Sequence, residues 1–483
     1  MARRDVLLVN PNRMRPPIAP LGFEYVAAAL DLRGYTPHLC DLTFADDWRP
    51  TLTDTIEDVR PVAVLFSVRN IDDAYFASQD FVLKLTGEMV RYAMQTTDAP
   101  VILGGVGFSI TPCETLRYTG ATCGIVGEGE DVLPQLLDCL AAGGELHDVP
   151  GAVFWENDRI VAVPPVFCRL SGLPTPSRRF VDNRRYFAEG GQAGIETKRG
   201  CDRSCIYCVE PHAKGNAIRL RTPESVAAEF ADLLDQGVDV VHLCDSEFNL
   251  PIDHAYGVCR ALVDAGLASR VRWYTYAAAQ PFDADLAHTM ARAGCAGINF
   301  GVDHGDPDML RRLGREYSPD DLRRTAQACR DADIAVMLDM LLGSPGETRD
   351  SLARAIDLMR EIAPDRVGLS CGVRLYPHTP LARMVRRQGP LAANPNLHGV
   401  REDNEDFLRP IFYVDAALGP DIHRIVSELV AGDPRFFHAD PSQLDGNYNY
   451  NDNSVLSNAI RSGARGAYWD ILRRLAGSDA KPR

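Results

Sequence analysis

The sequence predicts an α/β protein made of an open, doubly wound (Rossmann-like) sheet, a partial (β/α)6 barrel and a small, mainly helical C-terminal part. Three observations predict it. Short apolar runs alternate with amphipathic segments of helical period along most of the chain, the pattern of parallel strands joined by crossover helices. The chain has 483 residues, 46% of them hydrophobic, enough for more than one core. Glycine-rich or polar clusters follow the apolar runs, at the strand ends where such sheets bind ligands.

In the first part, over 1–150, strands are expected at 6–10, 38–40, 62–67, 101–103 and 123–126. Phe23, Val26, Ala29 and Leu30 mark one face of an intervening helix that Gly34 stops, and further helices are expected over 76–94 and 132–142. Residues 151–190 read as a hairpin, strands 152–155 and 160–163 around Glu156-Asn157-Asp158, and a linker rich in Pro and Arg over 173–185. The barrel is expected over 191–400, with strands at 194–197, 238–244, 271–276, 297–302, 335–342 and 367–376. Thr222 and Pro223 form a good helix start, as N-cap and first helical residue. A C-terminal cap over 401–483 holds an acidic patch, an Asn/Tyr-rich run over 447–453 and a helical pattern ending near Leu475.

The function classes narrow from composition. No apolar run reaches the roughly 18 residues of a membrane span, and the first ten residues lack a signal peptide's apolar region. A cytoplasmic protein without a membrane partner is expected. A net charge of −15 disfavours a nucleic-acid backbone. Most of the thirteen cysteines, such as Cys40, Cys139, Cys259 and Cys329, are isolated in apolar segments and read as small core residues.

One group differs. Gly200-Cys201-Asp202-Arg203-Ser204-Cys205-Ile206-Tyr207-Cys208 directly follows the first barrel strand. Thiolates bind iron–sulfur clusters, and three on one loop leave a fourth iron open to an amino and a carboxylate group. The alternative is zinc, which wants a fourth ligand; there is no second cysteine pair, and His212 is the nearby candidate.

This C-x3-C-x2-C loop, with Tyr207 before its last cysteine, resembles the radical S-adenosylmethionine (SAM) superfamily. The resemblance implies a 4Fe–4S cluster on Cys201, Cys205 and Cys208, and SAM beside it. It also implies SAM contacts from Tyr207, from Asp245, Ser246 and Glu247 at the second strand's end, from Asp303, and from Gly343 and Pro345 in a glycine-rich turn. Asp245 and Ser246 replace the usual glycines, while Glu247 remains as acceptor for the SAM ammonium. Cys201, Glu247, Asp303, Gly343 and Pro377 each fall at a strand's carboxyl end, hence on one face of the barrel.

The first part resembles the cobalamin-binding domain of many radical SAM proteins, through Val9-Asn10-Pro11 with Pro20-Leu21-Gly22, Ser67, Leu103-Gly104-Gly105 and Gly127-Glu128-Gly129-Glu130. Implied cobalamin contacts are Asn10, Ser67, Arg69, Gly104, Gly105, Gly127 and Glu128. No Asp-x-His-x-x-Gly supplies an axial histidine. Instead the run from Ser67 to Asp72 resembles the loop of cobalamin-dependent radical SAM methylases, notably the tryptophan 2-C-methyltransferase group, as does the C-terminal segment. Arg69, which has no lone pair to donate, would then keep the lower face of cobalt open and count as catalytic. The plainer alternative is a surface arginine paired with Asp72 or Asp73.

The implied activity is methylation of an unactivated carbon of a small-molecule natural-product substrate, using SAM and methylcobalamin, by a radical or a polar route. An external one-electron reductant of flavodoxin or ferredoxin type would serve it. The alternative keeps the cofactors without methyl transfer: oxidative rearrangement, cyclisation or ring contraction. A non-catalytic sensor fits poorly with an intact three-cysteine loop and two further SAM motifs. Tyr274 and Tyr276, Asn299 and Arg374 lie on barrel strands, the two tyrosines on one face, and Asp303 and His304 end another.

Overall fold

The computed structural model describes residues 4–438 and 450–478, so Asn447, Tyr448 and Asn449 of the Asn/Tyr-rich run lie outside the described residues. The first sheet has the order Tyr35–Asp41, Arg4–Asn10, Ala63–Ser67, Val101–Gly104, Cys123–Ile125, Ala152–Glu156, Arg159–Ala162. Its first five strands are parallel. They follow the 2-1-3-4-5 order, whose switch point lies between Arg4–Asn10 and Ala63–Ser67. Any ligand is therefore directed to the crevice beyond Asn10 and Ser67.

The expected hairpin forms, with Asn157 and Asp158 both in left-handed conformation as its tight turn requires. It is no bridge between units, however. Ala152–Glu156 pairs antiparallel with Cys123–Ile125 and extends the first sheet, because Ala152, Val153 and Phe154 need cover on their apolar faces. The helix expected over 76–94 is Leu83–Thr96. Upstream of it the Asp73 carboxylate accepts the amides of Tyr75 and Asp80 and holds a loop. That loop sends Phe76 to pack on Phe412 and His423, in the later part of the chain.

The second sheet is parallel throughout and has seven strands: Ala193–Ile195, Val240–Leu243, Arg272–Ala277, Cys295–Asp303, Ala335–Leu342, Arg366–Cys371 and Phe436–His438. Six were expected, and the seventh comes from the C-terminal part. The strand expected to run to 376 ends at Cys371; Val373–Arg374 turns away to pair with Ile411–Tyr413. The C-terminal part adds the helices Ile422–Val430, Ser454–Arg461 and Tyr468–Ser478.

Alternation sorts the barrel residues. Ile298, Phe300 and Val302, with Val336, Leu338 and Met340, pack outward against the helices. Asn299, Gly301, Asp303, Asp339 and Leu341 therefore face the interior. The floor is apolar and aromatic: Val240, Tyr274, Met337, Ala467 and Trp469 cluster there, and the Tyr274 hydroxyl donates to Asp470 at 2.9 Å.

The stretch expected to be a linker is instead a buried seam between the two sheets. Arg178 is 0% exposed, with Nη1 donating to Glu229 at 3.0 Å and Nη2 to the Gly194 carbonyl at 3.0 Å. Its Nε lies 3.8 Å from Glu24, on the helix Leu21–Leu32 of the first unit. Glu24 also accepts the amides of Phe180 and Val181 and the Asn183 side chain. Arg221 pairs with Glu229 and donates to the Tyr25 hydroxyl at 3.0 Å. Removing one member of such a network leaves a charge buried alone. Arg178→Met should lose roughly 3–5 kcal/mol of stability, read as an earlier urea midpoint at unchanged slope; an unmoved midpoint would show that the seam does not hold the two units.

Candidate active site

The three cysteines of the loop face one cavity of about 210 Å³, together with Tyr207, Glu210, Ser246, Glu247, Tyr276, Asp303 and Arg315. Backbone bonds hold the loop. The Cys201 amide donates to the Gly215 carbonyl at 3.1 Å, Ile206 to Leu313 at 3.1 Å, and Cys208 to Cys205 at 3.2 Å. Burial pushes the Cys205 thiol up to about 11 and Cys208 up to about 12, with Cys201 moved in the same direction. Binding a cationic metal centre is what makes such thiols thiolates.

The donor set fits a cluster better than a single ion. Among the described residues no three His, Cys, Asp or Glu side chains converge as one ion's ligands would. Three thiols spread around a cavity suit three separate irons. His212, the candidate fourth zinc ligand, stacks on His378 at 4.3 Å and lines an outer groove of about 770 Å³ instead.

Around the cavity the residues divide into those that face it and those that hold it. Tyr207 donates its hydroxyl to Asp303 at 2.7 Å, and Arg315 pairs with the same carboxylate while donating to the Gly301 carbonyl at 2.9 Å. Ser246 donates to Glu210 at 2.8 Å. Glu247 stands 3.6 Å from Arg315, and burial lifts its carboxyl to about 7. Lys198 holds this loop through the carbonyls of Glu247, Phe248 and Leu250. Asp245 is occupied elsewhere, accepting the Thr197 amide at 2.8 Å and hydroxyl at 2.5 Å. Gly343 opens a turn in which Glu347 accepts the amides of Gly343 and Ser344 and pairs with buried His304 at 2.7 Å. Pro345 follows in the same turn, half-buried. Arg315 and Glu210 belong to no motif, so nothing in the chain's pattern singles them out.

In the first unit, packing explains the strand-end glycines differently from close approach of a ligand. A side chain on Gly105 would lie 2.7 Å from the Val68 carbonyl, and one on Gly107 2.9 Å from it and 3.1 Å from Arg69. These glycines seat the loop that follows Ser67, whose bonds Val68 to Gly104 and Gly107 to Val68 fix Arg69. Gly104 is the open position, with only Leu65 within 4 Å of an added carbon. Asn10 spends its amide on Asp41, Thr43 and Tyr186. Glu128 accepts from Arg219 at 2.6 Å and from the Cys168 amide at 2.8 Å, a tie to the barrel, while the neighbouring Gly127 amide donates to Ser109. Arg374 is a second tie, bound to Asp72 at 2.7 Å.

That bond removes Asp72 as a partner for Arg69, and Asp73 holds Ser78 and Tyr75. Arg69 makes no ion pair among the described residues. Arg69, Cys244 and Tyr276 each keep accessible surface, while burial lowers the Arg69 guanidinium's pKa and pushes the Cys244 thiol up to about 11 and the Tyr276 hydroxyl up to about 12. Tyr468, Cys244 and Tyr276 lie near Arg69, and Tyr276 also faces the cysteine cavity. A larger surface cavity, about 960 Å³, lies at the opposite strand ends by Arg4, Val62 and Pro100, away from this chemistry.

Residues 195–359 match the radical SAM superfamily, and residues 13–137 match the B12 binding domain. The tryptophan 2-C-methyltransferase of Streptomyces laurentii is 34% identical over 456 residues, covering 80% of this chain and 75% of that protein. The chain belongs to the cobalamin-dependent radical SAM family. Among solved structures, the radical SAM methyltransferase TsrM from Kitasatospora setae, with tryptophan and a SAM analogue bound, superposes with a TM-score of 0.90. It is 31% identical, over 99% of this chain and 100% of that one. The cobalamin-dependent enzyme OxsB shares the fold at a TM-score of 0.69 and 17% identity. The enzyme thus works with a 4Fe–4S cluster, SAM and cobalamin. After anaerobic reconstitution, Cys201→Ala, Cys205→Ala and Cys208→Ala should each lose most of the iron; wild-type iron content in all three would overturn the cluster assignment.

Proposed function

We propose that this cobalamin-dependent radical SAM methyltransferase methylates a ring carbon of a small indole substrate, with tryptophan the substrate class to test first. The observation that carries the reading is the position of Tyr276. It lines the cysteine cavity and lies near Arg69, on the loop at the first sheet's switch point, so a substrate beside it would stand between the two proposed cofactor sites. The similarity to the tryptophan 2-C-methyltransferase over 80% of this chain, and to TsrM with its tryptophan substrate bound over 99% of it, supports the choice of substrate.

When bound, the cluster, SAM and cobalamin supply a single electron, the methyl group and its carrier. The chain's own residues then have these roles. Cys201, Cys205 and Cys208 hold the cluster; Ser246, Glu247 and Asp303 offer oxygen acceptors on SAM's side, and Tyr207 with Arg315 keeps Asp303 oriented. Arg69, a cation with no lone pair to donate, would stand beside the bound cobalamin and would offer its cobalt no nitrogen ligand. The outer groove reaches Cys205 and Cys208 from the surface, which supports electron delivery there by an external flavodoxin- or ferredoxin-type reductant. Thirteen free thiols support a reducing, cytoplasmic setting; no helix among the described residues is long and apolar enough to cross a membrane.

With methyl-labelled SAM and tryptophan, label should appear in a C-methylated product. Substrate turnover without label would turn the reading toward rearrangement. Arg69→Ala should fold and take up cobalamin, yet methylate more slowly and give a six-coordinate cobalt spectrum. Unchanged turnover with an unchanged spectrum would remove Arg69 from the mechanism.

A further inference from the structure

The strand Val240–Leu243 carries into the barrel a base that the cofactor sites do not use. Val241 and Leu243 pack outward in the main core, while Val240 belongs to the floor. His242 therefore shares the inward face with Val240, one step nearer the carboxyl end of the strand. It is half-buried there. Its ring centre lies 4.9 Å from that of Tyr276, with the two planes tilted by 52°. Tyr276 lines the cysteine cavity and lies near Arg69, so His242 borders the place between the two proposed cofactor sites.

The ring's hydrogen bond decides what it can do. Nδ1 stands 3.0 Å from the Leu243 carbonyl. A carbonyl only accepts, so Nδ1 carries the hydrogen and Nε2 keeps the lone pair of the neutral imidazole. Nε2 has no hydrogen-bond partner among the described residues. Burial holds the ring's pKa down at about 4, which keeps it neutral at physiological pH. The three carboxylates of the cysteine cavity are each paired with a cation, Asp303 and Glu247 with Arg315 and Glu210 with Lys214. The uncommitted lone pair beside Tyr276 belongs to a nitrogen.

Resting on the indole reading, and on the polar route of methyl transfer, we infer that His242 is the general base of the methylation: Nε2 takes the ring hydrogen that the methyl group replaces. The step balances without an oxidant or a reductant. A π pair of the ring forms the new C–CH3 bond, to the methyl that SAM supplies through cobalamin. The C–H bond on that carbon then breaks, its electron pair restores the aromatic ring, and the proton goes to Nε2. A carbon that bears both hydrogen and methyl in a cationic ring gives up its proton readily, so a weak base in the right place suffices. Burial disfavours the imidazolium and drives the proton off again once product leaves.

Single turnovers of the reconstituted enzyme with tryptophan deuterated on its indole ring test this. Deuterium should not slow the wild type. His242→Gln should methylate about 100-fold more slowly, and deuterium should slow it further. Its equilibrium binding of tryptophan and its iron and cobalamin content should stay at wild-type values. Added imidazole should restore turnover to His242→Ala, a second variant in case the first folds poorly. Wild-type rates in both variants, or a loss of tryptophan binding that matches the loss of rate, would overturn the base and leave the indole reading standing. Deuterium recovered in 5′-deoxyadenosine would do the same, because the hydrogen would then leave as an atom. A wild-type enzyme that takes up SAM and cobalamin but leaves tryptophan unmethylated would overturn the indole reading, and this role with it.

Discussion

Everything at the active site depends on how two sheets are held against each other, and a buried set of charges does that. Glu24 and Tyr25 come from the first unit, Arg178 from the connecting stretch, Glu229 and Arg221 from the barrel. Two cations and two carboxylates balance there out of water. Replacing such a network by apolar residues is often no loss in stability, but apolar surfaces slide and a forked guanidinium does not. The second tie, Arg219 with Glu128 and Arg199 with Glu130, sits at the carboxyl end of the first sheet. The third, Arg374 with Asp72, lies beside the Arg69 loop. Together they hold the carboxyl ends of the first sheet against the barrel.

Those ties also explain what could and could not be read from the chain. Periodicity gave the strands and helices of both units, because burial on one face or two writes itself into spacing. It missed the seventh barrel strand at Phe436–His438, three residues long and far from its partner Arg366–Cys371 in sequence. It misread the stretch around Arg178 as a linker, since prolines and arginines look like exposed loop until a carboxylate from each side neutralises the charge. The cysteine loop was legible because three thiols at that spacing have few other uses. Asp245, Glu128 and Asn10 were singled out by motif, yet each spends its polar atoms inside the protein. A motif marks a strand end. It does not say which of the side chains there remains available.

The glycines of the first sheet make the same point. Motif reading attached Gly104 and Gly105 to a flat ligand. Gly105 and Gly107 are instead spaces into which the backbone of Val68 and Arg69 packs. The loop so seated is the one that carries Arg69.

Charge around the cysteine cavity follows a similar economy. Glu210, Glu247 and Asp303 surround it, and cluster loading adds thiolates to that negative field. Lys198, Lys214, Arg203 and Arg315 stand against it: Lys214 is 2.9 Å from Glu210, and Arg315 reaches both Asp303 and Glu247. In a site of low polarity each such pair counts for more than it would at the surface. The cations come from separate elements, Lys198 from the short strand Lys198–Arg199 beyond the first barrel strand and Arg315 from beyond the helix Pro307–Leu313. The charge balance that lets thiols ionise on loading is thus a property of the closed barrel, and the cluster loop alone does not contain it.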